Sequence, residues 1–125
     1  MSQYNNVEVA AFDSPGVQDL VPGSQVPLEH VDVADPRMVE ILESIQPQAV
    51  VHAAAHPGGK SLREPIEDVR VNALGGMQVF HWCGKTGSHL VFLSSSNVYG
   101  DQVENKIPET AALKPGTIYG ACKVA

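Results

Sequence analysis

A tyrosine and a lysine stand four residues apart near the end of the 125-residue sequence, in the segment Tyr119-Gly120-Ala121-Cys122-Lys123. On a helix, residues i and i+4 lie on the same face, one turn apart. A free tyrosine is a poor base at neutral pH because its pKa is about 10, and a neighbouring ammonium stabilises the phenolate. The pair is therefore a candidate proton donor and acceptor. The alternative interpretation is a surface lysine that packs on a tyrosine.

A second group of reactive side chains follows an apolar run. Ser94-Ser95-Ser96 come directly after Leu90-Val91-Phe92-Leu93, which the pattern predicts as a buried strand. Ligands of open parallel sheets bind beyond the carboxyl ends of the strands. A serine at this place can hydrogen-bond a substrate hydroxyl and share its proton with a tyrosinate. The alternative is a serine cluster that caps loop backbone.

The elements that position these groups alternate between the two apolar periods, which predicts an α/β fold. Short apolar runs predict strands at 7–12, 28–31, 49–54 and 90–93. A stripe of Met38, Ile41, Leu42 and Ile45 predicts a helix that Pro47 ends, and a longer helix is predicted from Pro65 to about Cys83. Residues 56–59 and 100–116 are predicted loops, and a last helix begins near Thr117.

Composition and net charge limit the partners and the cellular setting that we expect for the chain. Apolar residues make up 43% of the chain and charged residues 18%, which is typical of one domain over residues 1–125. No apolar run approaches 18 residues and no secretory signal opens the chain, so no membrane partner is expected. The net charge of −6 argues against a nucleic-acid partner. Two unpaired cysteines indicate a reducing, cytoplasmic setting, and five scattered histidines predict no metal site.

Several segments form a joint pattern with the tyrosine–lysine pair. They are Asp32-Val33, Val50-Val51-His52-Ala53-Ala54-Ala55, Val71-Asn72-Ala73-Leu74-Gly75-Gly76, Ser94-Ser95-Ser96-Asn97-Val98-Tyr99-Gly100, Pro108-Glu109 and Pro115. Together they resemble the extended short-chain dehydrogenase/reductase family, the nucleotide-sugar epimerases and dehydratases, although the usual Gly-Thr is Gly75-Gly76 here. The resemblance covers nearly the whole chain and implies a Rossmann-type, doubly wound parallel sheet.

The resemblance also implies roles for individual residues. Tyr119 is the catalytic acid/base, Lys123 favours its phenolate and binds the nicotinamide ribose, and Ser95 is the catalytic serine because it lies four residues before Tyr99. Substrate contacts fall on Ser95, Ser96 and Asn97. The expected NAD-binding residues are Asp13, Asp32, Val33, Ala53, Ala54, Ala55, Asn72, Tyr119 and Lys123. Asp13 would accept the adenosine-ribose hydroxyls and favour NAD over NADP, or alternatively is a turn aspartate.

The family's first strand and its glycine-rich phosphate loop have no counterpart in the sequence. No G-x-G-x-x-G or G-x-x-G-x-x-G occurs, and the distance from Asp13 to Asp32 is too short to hold a loop, a helix, a second strand and a further loop. We also expect these residues to lack the family's C-terminal substrate domain. We expect a truncated NAD-binding domain whose strands beside the missing one have unpaired, apolar edges. Three alternatives are open. These strands pair directly with each other, another chain or segment fills the gap between them, or the sheet is rearranged.

The implied parent activity is NAD-dependent 4-epimerisation of a nucleotide-diphosphate sugar through a 4-keto intermediate. Sugar dehydratases carry an Asp-Glu pair after the catalytic serine, and Ser96-Asn97 cannot act as that pair. A reductase or decarboxylase of the same family, and a non-catalytic interaction module, remain as alternatives. We expect the chain alone neither to bind NAD tightly nor to turn over. A homo-oligomer remains an alternative, although only the start of the second helix in the family's dimer interface, the helix with Tyr119 and Lys123, is present here.

Overall fold

Four short strands form two separate parallel pairs in the residues that the structure describes. The computed structural model describes residues 7–16, 26, 28–102 and 106–125. Strand β1 (Ala11–Asp13) pairs with β2 (Leu28–His30), and β3 (Ala49–His52) pairs with β4 (His89–Phe92). The predicted α/β class with parallel strands is confirmed. Strands β1, β2 and β3 are shorter than their apolar runs, and β4 begins and ends one residue earlier than predicted. Strand β1 includes Asp13, which the sequence placed just beyond it.

Helices connect and cover these strands. They are α1 (Arg37–Ile45), α2 (Gly58–Ser61), α3 (Pro65–Asp68), α4 (Gly76–Thr86) and α5 (Ile118–Val124), with a π-helical segment at Val69–Gly75 and a 3-10 helix at Ser96–Tyr99. The predicted helix from Pro65 to about Cys83 is present as a helical run, but not as one continuous α-helix. The helical run changes to the wider π form in its middle, and it continues to Thr86, where Gly87 ends it with φ +77°. The predicted loop at 56–59 contains the start of α2.

The main core lies between the strands and one face of α1 and α4. Met38 and Leu42 of α1 are buried against Val79, Trp82 and Cys83 of α4. Two members of the predicted α1 stripe contribute less. Ile41 is half-buried at the edge of the cluster and Ile45 is 45% exposed. Trp82 packs in the same cluster as the core residues of α1.

Strands β3 and β4 are covered on one face only. The register partners Val50 and Leu90 pack against the core cluster. Val51 and Val91, the next partners in register, point to the opposite face because side chains alternate along a strand. Their exposed fractions are 66% and 44%. The described residues therefore supply helices for one side of this pair and leave the other side open.

His52 ends β3 inside an aromatic cluster. Its ring stacks on Phe92 at a centroid distance of 5.7 Å and meets the edge of Phe80 at 5.7 Å. The ring is buried, and its Nε2 has no hydrogen-bond partner among the described residues. Burial, reinforced by the nearby Lys123 ammonium, lowers the pKa of His52. His52 thus lies within the predicted strand at 49–54, with its ring in the core.

None of the helices in the described part of the chain has the length and apolar character needed to cross a bilayer. The same residues contain no cluster of three histidine, cysteine or acidic side chains placed to hold a metal ion.

Replacing Gly120 should destabilise the chain. A Cβ there would lie 2.5 Å from the carbonyl oxygen of Asn97, so α5 would have to move off the 3-10 helix. We expect Gly120→Ala to lower the free energy of unfolding by about 2 kcal/mol in urea denaturation. Gly84→Ala is the matched control, because that helical position faces open space and should gain about 0.5–1 kcal/mol. Equal effects of the two substitutions would contradict this packing.

Stability should fall in mild acid because of His52. Its folded-state pKa lies below the ordinary value of 6.5, so the unfolded chain binds the proton more readily. The folded state loses stability as the pH falls below 6.5. Urea denaturation at pH 7 and pH 5 should show this loss in the wild type and a smaller one in His52→Leu. An identical loss in both proteins would show that other groups cause the acid sensitivity.

Candidate active site

The ammonium of Lys123 lies at the carboxyl end of β4. Its Nζ donates a hydrogen bond to the carbonyl oxygen of Leu93 (3.1 Å) and lies 4.7 Å from the ring centroid of Phe92. The same Nζ is 5.9 Å from the ring centroid of Tyr119. The residue is 6% exposed. Burial lowers the pKa of Lys123, and the Asp68 carboxylate partly opposes this effect. A desolvated cation therefore faces the phenol ring one turn away.

Tyr119 sits in the first turn of α5, which Thr117 caps. The Thr117 hydroxyl accepts a hydrogen bond from the Gly120 backbone N–H (3.0 Å). The half-buried Tyr119 ring packs against Gly58, where a Cβ would lie 3.2 Å from the tyrosine Cδ1 and 3.6 Å from the Asn97 Nδ2. Gly58 thus leaves room for the phenol beside the Asn97 side chain. Nothing in the sequence pattern singled out Gly58.

The predicted catalytic serine lies at the same end of β4. Ser95 caps the 3-10 helix, and its Oγ accepts a hydrogen bond from the Asn97 backbone N–H (3.3 Å). Ser96 and Asn97 are exposed at the start of that helix. No hydrogen bond between described residues joins Ser95 to Tyr119. The elements therefore bring Ser95, Asn97, Tyr119 and Lys123 to one end of the strand, with the serine hydroxyl engaged in a cap.

Six of the predicted cofactor residues line one cavity of about 640 Å³. They are Asp13, Asp32, Val33, Ala53, Ala54 and Ala55. The exposed Lys60 of α2 also lines the cavity. Asn72, Tyr119 and Lys123 are not part of its wall. The cavity extends along β1 and β3, the two strands that face each other without a partner between them.

The Asp32 carboxylate is held by an ion-pair network. It accepts a hydrogen bond from the Ala34 backbone N–H (2.8 Å) and pairs with the Arg70 guanidinium at 2.5 Å. The guanidinium also binds Glu67 at 2.6 Å. The hydrogen bond from Arg70 lowers the pKa of Asp32. Asp13, by contrast, accepts a hydrogen bond from the next backbone N–H, at Ser14 (2.7 Å), as a turn aspartate does.

Asn72 is buried behind the cavity rather than within its wall. Its Oδ1 accepts from the His56 backbone N–H (2.8 Å) and its Nδ2 donates to the His56 carbonyl (3.0 Å). The Nδ2 also donates to the fully buried Asp68 carboxylate, which accepts a second hydrogen bond from the Ser61 hydroxyl. Asn72 thus fixes the backbone that follows β3. Its predicted contact with NAD stays a prediction.

Three residues of the site were not predicted from the sequence: Ser61, Asp68 and Arg70. Asp68 and Asn72 stand four residues apart on one face of a helical run, and a polar pair at that spacing among apolar residues was a usable signal. The contact of Arg70 with Asp32 spans 38 residues, and no local pattern indicates it.

The described residues fit part of a dinucleotide. Carboxylates at the ends of β1 and just beyond β2, small alanines after β3, and a buried ammonium after β4 all lie at the carboxyl ends of parallel strands. The alanine side chains of Ala53–Ala55 leave space at the cavity wall. A glycine-rich loop that would hold the pyrophosphate does not occur in the 125 residues.

Comparison with known proteins places these features in a family. The sequence model of the NAD dependent epimerase/dehydratase family matches residues 3–125. An uncharacterized epimerase/dehydratase of Staphylococcus haemolyticus is 27% identical over 124 residues, which are 98% of this chain and 39% of that protein.

Solved structures agree with this assignment. The UDP-glucose 4-epimerase of Thermus thermophilus, in complex with NAD, is 32% identical, with a TM-score of 0.78 over 94% of this chain and 40% of its own. The L-threonine dehydrogenase of Clostridium difficile is 24% identical, with a TM-score of 0.79 over 92% of this chain and 37% of its own, which shows the fold alone. The chain thus spans about 40% of the length of these relatives. The match of the family model to nearly the whole sequence shows that the chain belongs to the NAD dependent epimerase/dehydratase family.

Proposed function

We propose that the chain is the cofactor-binding part of an NAD-dependent epimerase that acts on nucleotide-diphosphate sugars. One observation carries this proposal. The Lys123 ammonium is buried between the Leu93 carbonyl and the ring of Tyr119, at the strand end where ligands of such sheets bind. Packing alone gives no reason to bury a lysine beside a tyrosine at that place, because a buried cation is costly unless it serves a partner.

The proposed proton transfer runs through Tyr119. Its phenolate oxygen takes the proton of the sugar 4-hydroxyl, and the Lys123 ammonium stabilises the phenolate electrostatically. Ser95 leaves its cap on Asn97 and hydrogen-bonds the same hydroxyl. The phenol returns the proton when the 4-keto sugar is reduced on its other face. The exposed Ser96 and Asn97 offer further hydrogen bonds to the sugar.

NAD, when bound, supplies the acceptor and donor of hydride. Asp13 and Asp32 would hold the adenosine end, Val33 and Ala53–Ala55 would line the groove, and Lys123 would reach the nicotinamide ribose. A carboxylate at Asp13 would repel a 2′-phosphate, which favours NAD over NADP. Asn72 contributes by fixing the backbone of His56 at the wall of the cavity.

The residues after the catalytic serine favour epimerisation over dehydration. Ser96 and Asn97 lack the carboxylates that would protonate a leaving hydroxyl and abstract a proton. A reductase of the same family would use the same tyrosine and lysine and remains the second candidate.

We place the protein in the cytoplasm because Cys83 and Cys122 are both free and buried. The acidic net charge disfavours a nucleic-acid partner. The exposed apolar residues on the helices are compatible with a homo-oligomer.

Binding of NAD to the 125 residues should be weak. The pyrophosphate lacks its usual anchor, so an NMR titration should give a dissociation constant of about 1 mM or weaker. The amides of Ala34 and Ala53–Ala55 should shift. Asp32→Asn should abolish the shift at Ala34, whereas Asp35→Asn, which does not line the cavity, should keep it. Micromolar binding, or shifts confined to other residues, would contradict the assignment of this groove.

Tyr119 should control turnover in a complete enzyme. A chimera can carry residues 7–125 in place of the matching segment of the Thermus thermophilus epimerase. There, Tyr119→Phe should cut epimerisation of UDP-glucose by about 100-fold or more while the NAD content stays unchanged. Tyr99→Phe, also a half-buried tyrosine near β4, is the matched control and should keep most of the activity. Unchanged turnover in Tyr119→Phe, or release of a 4-keto-6-deoxy sugar, would refute the proposed reaction.

A further inference from the structure

We propose that Arg70 is a positioning residue for the adenine end of the cavity, where its guanidinium fixes the Asp32 carboxylate in the orientation that accepts the adenine amino group. This role rests on the proposed function, which places Asp32 at the adenosine end of NAD. Asp32 lines the cavity, whereas Arg70 is not part of the wall and acts on a ligand only through the carboxylates that it binds.

Both oxygens of the Asp32 carboxylate have a partner. Oδ1 accepts a hydrogen bond from the Ala34 backbone N–H at 2.8 Å, and Oδ2 accepts one from Nη2 of Arg70 at 2.5 Å. Two partners on different elements hold the plane of the carboxylate in one orientation. Each carboxylate oxygen can accept two hydrogen bonds, so each keeps one acceptor site. Because Asp32 is half-buried at the cavity wall, these remaining sites are available to a bound ligand.

The guanidinium of Arg70 is itself held by Glu67, one turn earlier in the helical run. Nε donates to Oε2 of Glu67 at 2.8 Å, and Nη2 donates to Oε1 at 2.6 Å. A planar guanidinium held at two points is more rigid than an ammonium on a flexible stem. Arg70 therefore reaches Asp32 from a fixed position, and the contact joins the segment just beyond β2 to the helical run.

Arg70 also sets the charge on this wall of the cavity. Asp32 and Glu67 both line the cavity, and without the guanidinium they would present two carboxylates to a ligand that carries phosphate groups. With it, the three side chains together carry one negative charge. The hydrogen bond from Arg70 lowers the pKa of Asp32, so the carboxylate stays ionised and acts only as an acceptor. An acceptor of this kind selects a base that offers an N–H donor.

A second arginine–aspartate pair in the described residues lies outside the cavity wall. Arg37 donates to Oδ2 of Asp35 from Nη2 at 2.7 Å and from Nε at 3.0 Å. Neither residue lines the cavity, and the pair joins residues only two positions apart, at the start of α1. Substituting Arg37 therefore removes the same charge and the same kind of ion pair without releasing a carboxylate of the wall. It is the matched control for Arg70.

The test compares two nucleotides in NMR titrations of the 125-residue chain, followed at the Ala34 amide. Adenosine 5′-monophosphate and purine riboside 5′-monophosphate differ only in the amino group of the base, so the ratio of their dissociation constants measures what that group contributes. We expect the wild type to bind the first nucleotide about tenfold more tightly, as one hydrogen bond to a charged group at a partly exposed site provides. Asp32→Ala should bring the ratio to about one.

Arg70→Met should lower this ratio to about threefold or less, because the Asp32 carboxylate then loses its fixed orientation. Loss of the guanidinium charge, or partial unfolding, would weaken both nucleotides alike, so the ratio reports on positioning alone. Arg70→Lys keeps the charge but cannot hold Glu67 and Asp32 with one rigid fork, and its ratio should lie between the two. Arg37→Met should keep the wild-type ratio.

The outcomes separate the role of Arg70 from the proposed function. A wild-type ratio in Arg70→Met, or an equal loss in Arg37→Met, would overturn the role of Arg70 and leave the proposed function intact. A ratio of about one in the wild type would also overturn it, since Asp32 would then not bind the amino group. If neither nucleotide shifts the Ala34 amide of the wild type, both the role of Arg70 and the proposed groove are wrong.

Discussion

The buried side-chain amide of Asn72 is the constraint on which the rest of the site depends. Its oxygen and nitrogen bind the N–H and C=O of His56 as a neighbouring strand would, and its second N–H binds Asp68. A buried polar network stabilises a fold when every member is satisfied, and here Ser61 supplies the last partner. The backbone after β3 is thereby held against the π-helical segment. Gly58, two residues further on, then meets the ring of Tyr119.

Because of this constraint, the residues suited to proton transfer keep their positions although the sheet has a gap between β1 and β3. Tyr119 and Lys123 are positioned by β4, the 3-10 helix and the helical run 65–86, none of which contacts the outer side of β1. The gap between β1 and β3 interrupts the sheet on the side of β3 that faces away from β4. The groups suited to proton transfer are therefore assembled within residues 49–125, while the groove that would hold the dinucleotide is bounded by two strands with free edges.

The sequence could predict what depends on short-range patterns. The apolar runs before Ala53 and Ser94 indicated parallel strands, and the stripe through Met38 and Leu42 indicated α1. The π-helical segment was not predictable, because π-helical turns are rare and the apolar residues of this run recur every three or four residues, as in an ordinary α-helix. Whether β1 and β3 would pair was also beyond the sequence, since strand pairing is decided by distant contacts and not by either segment alone. The resemblance supplied the site residues, but it could not show that Ser95 acts as a helix cap here.

Asn72 fixes the segment between β3 and α2, and the exchange rate of one backbone amide is a direct measure of this role. In the wild-type chain, NMR hydrogen exchange should show the His56 N–H strongly protected, and Asn72→Leu, folded to the same extent by its other amides, should show it exchanging as fast as the exposed loops. A His56 amide that exchanges rapidly in the wild type, or one that stays protected in Asn72→Leu, would contradict this account.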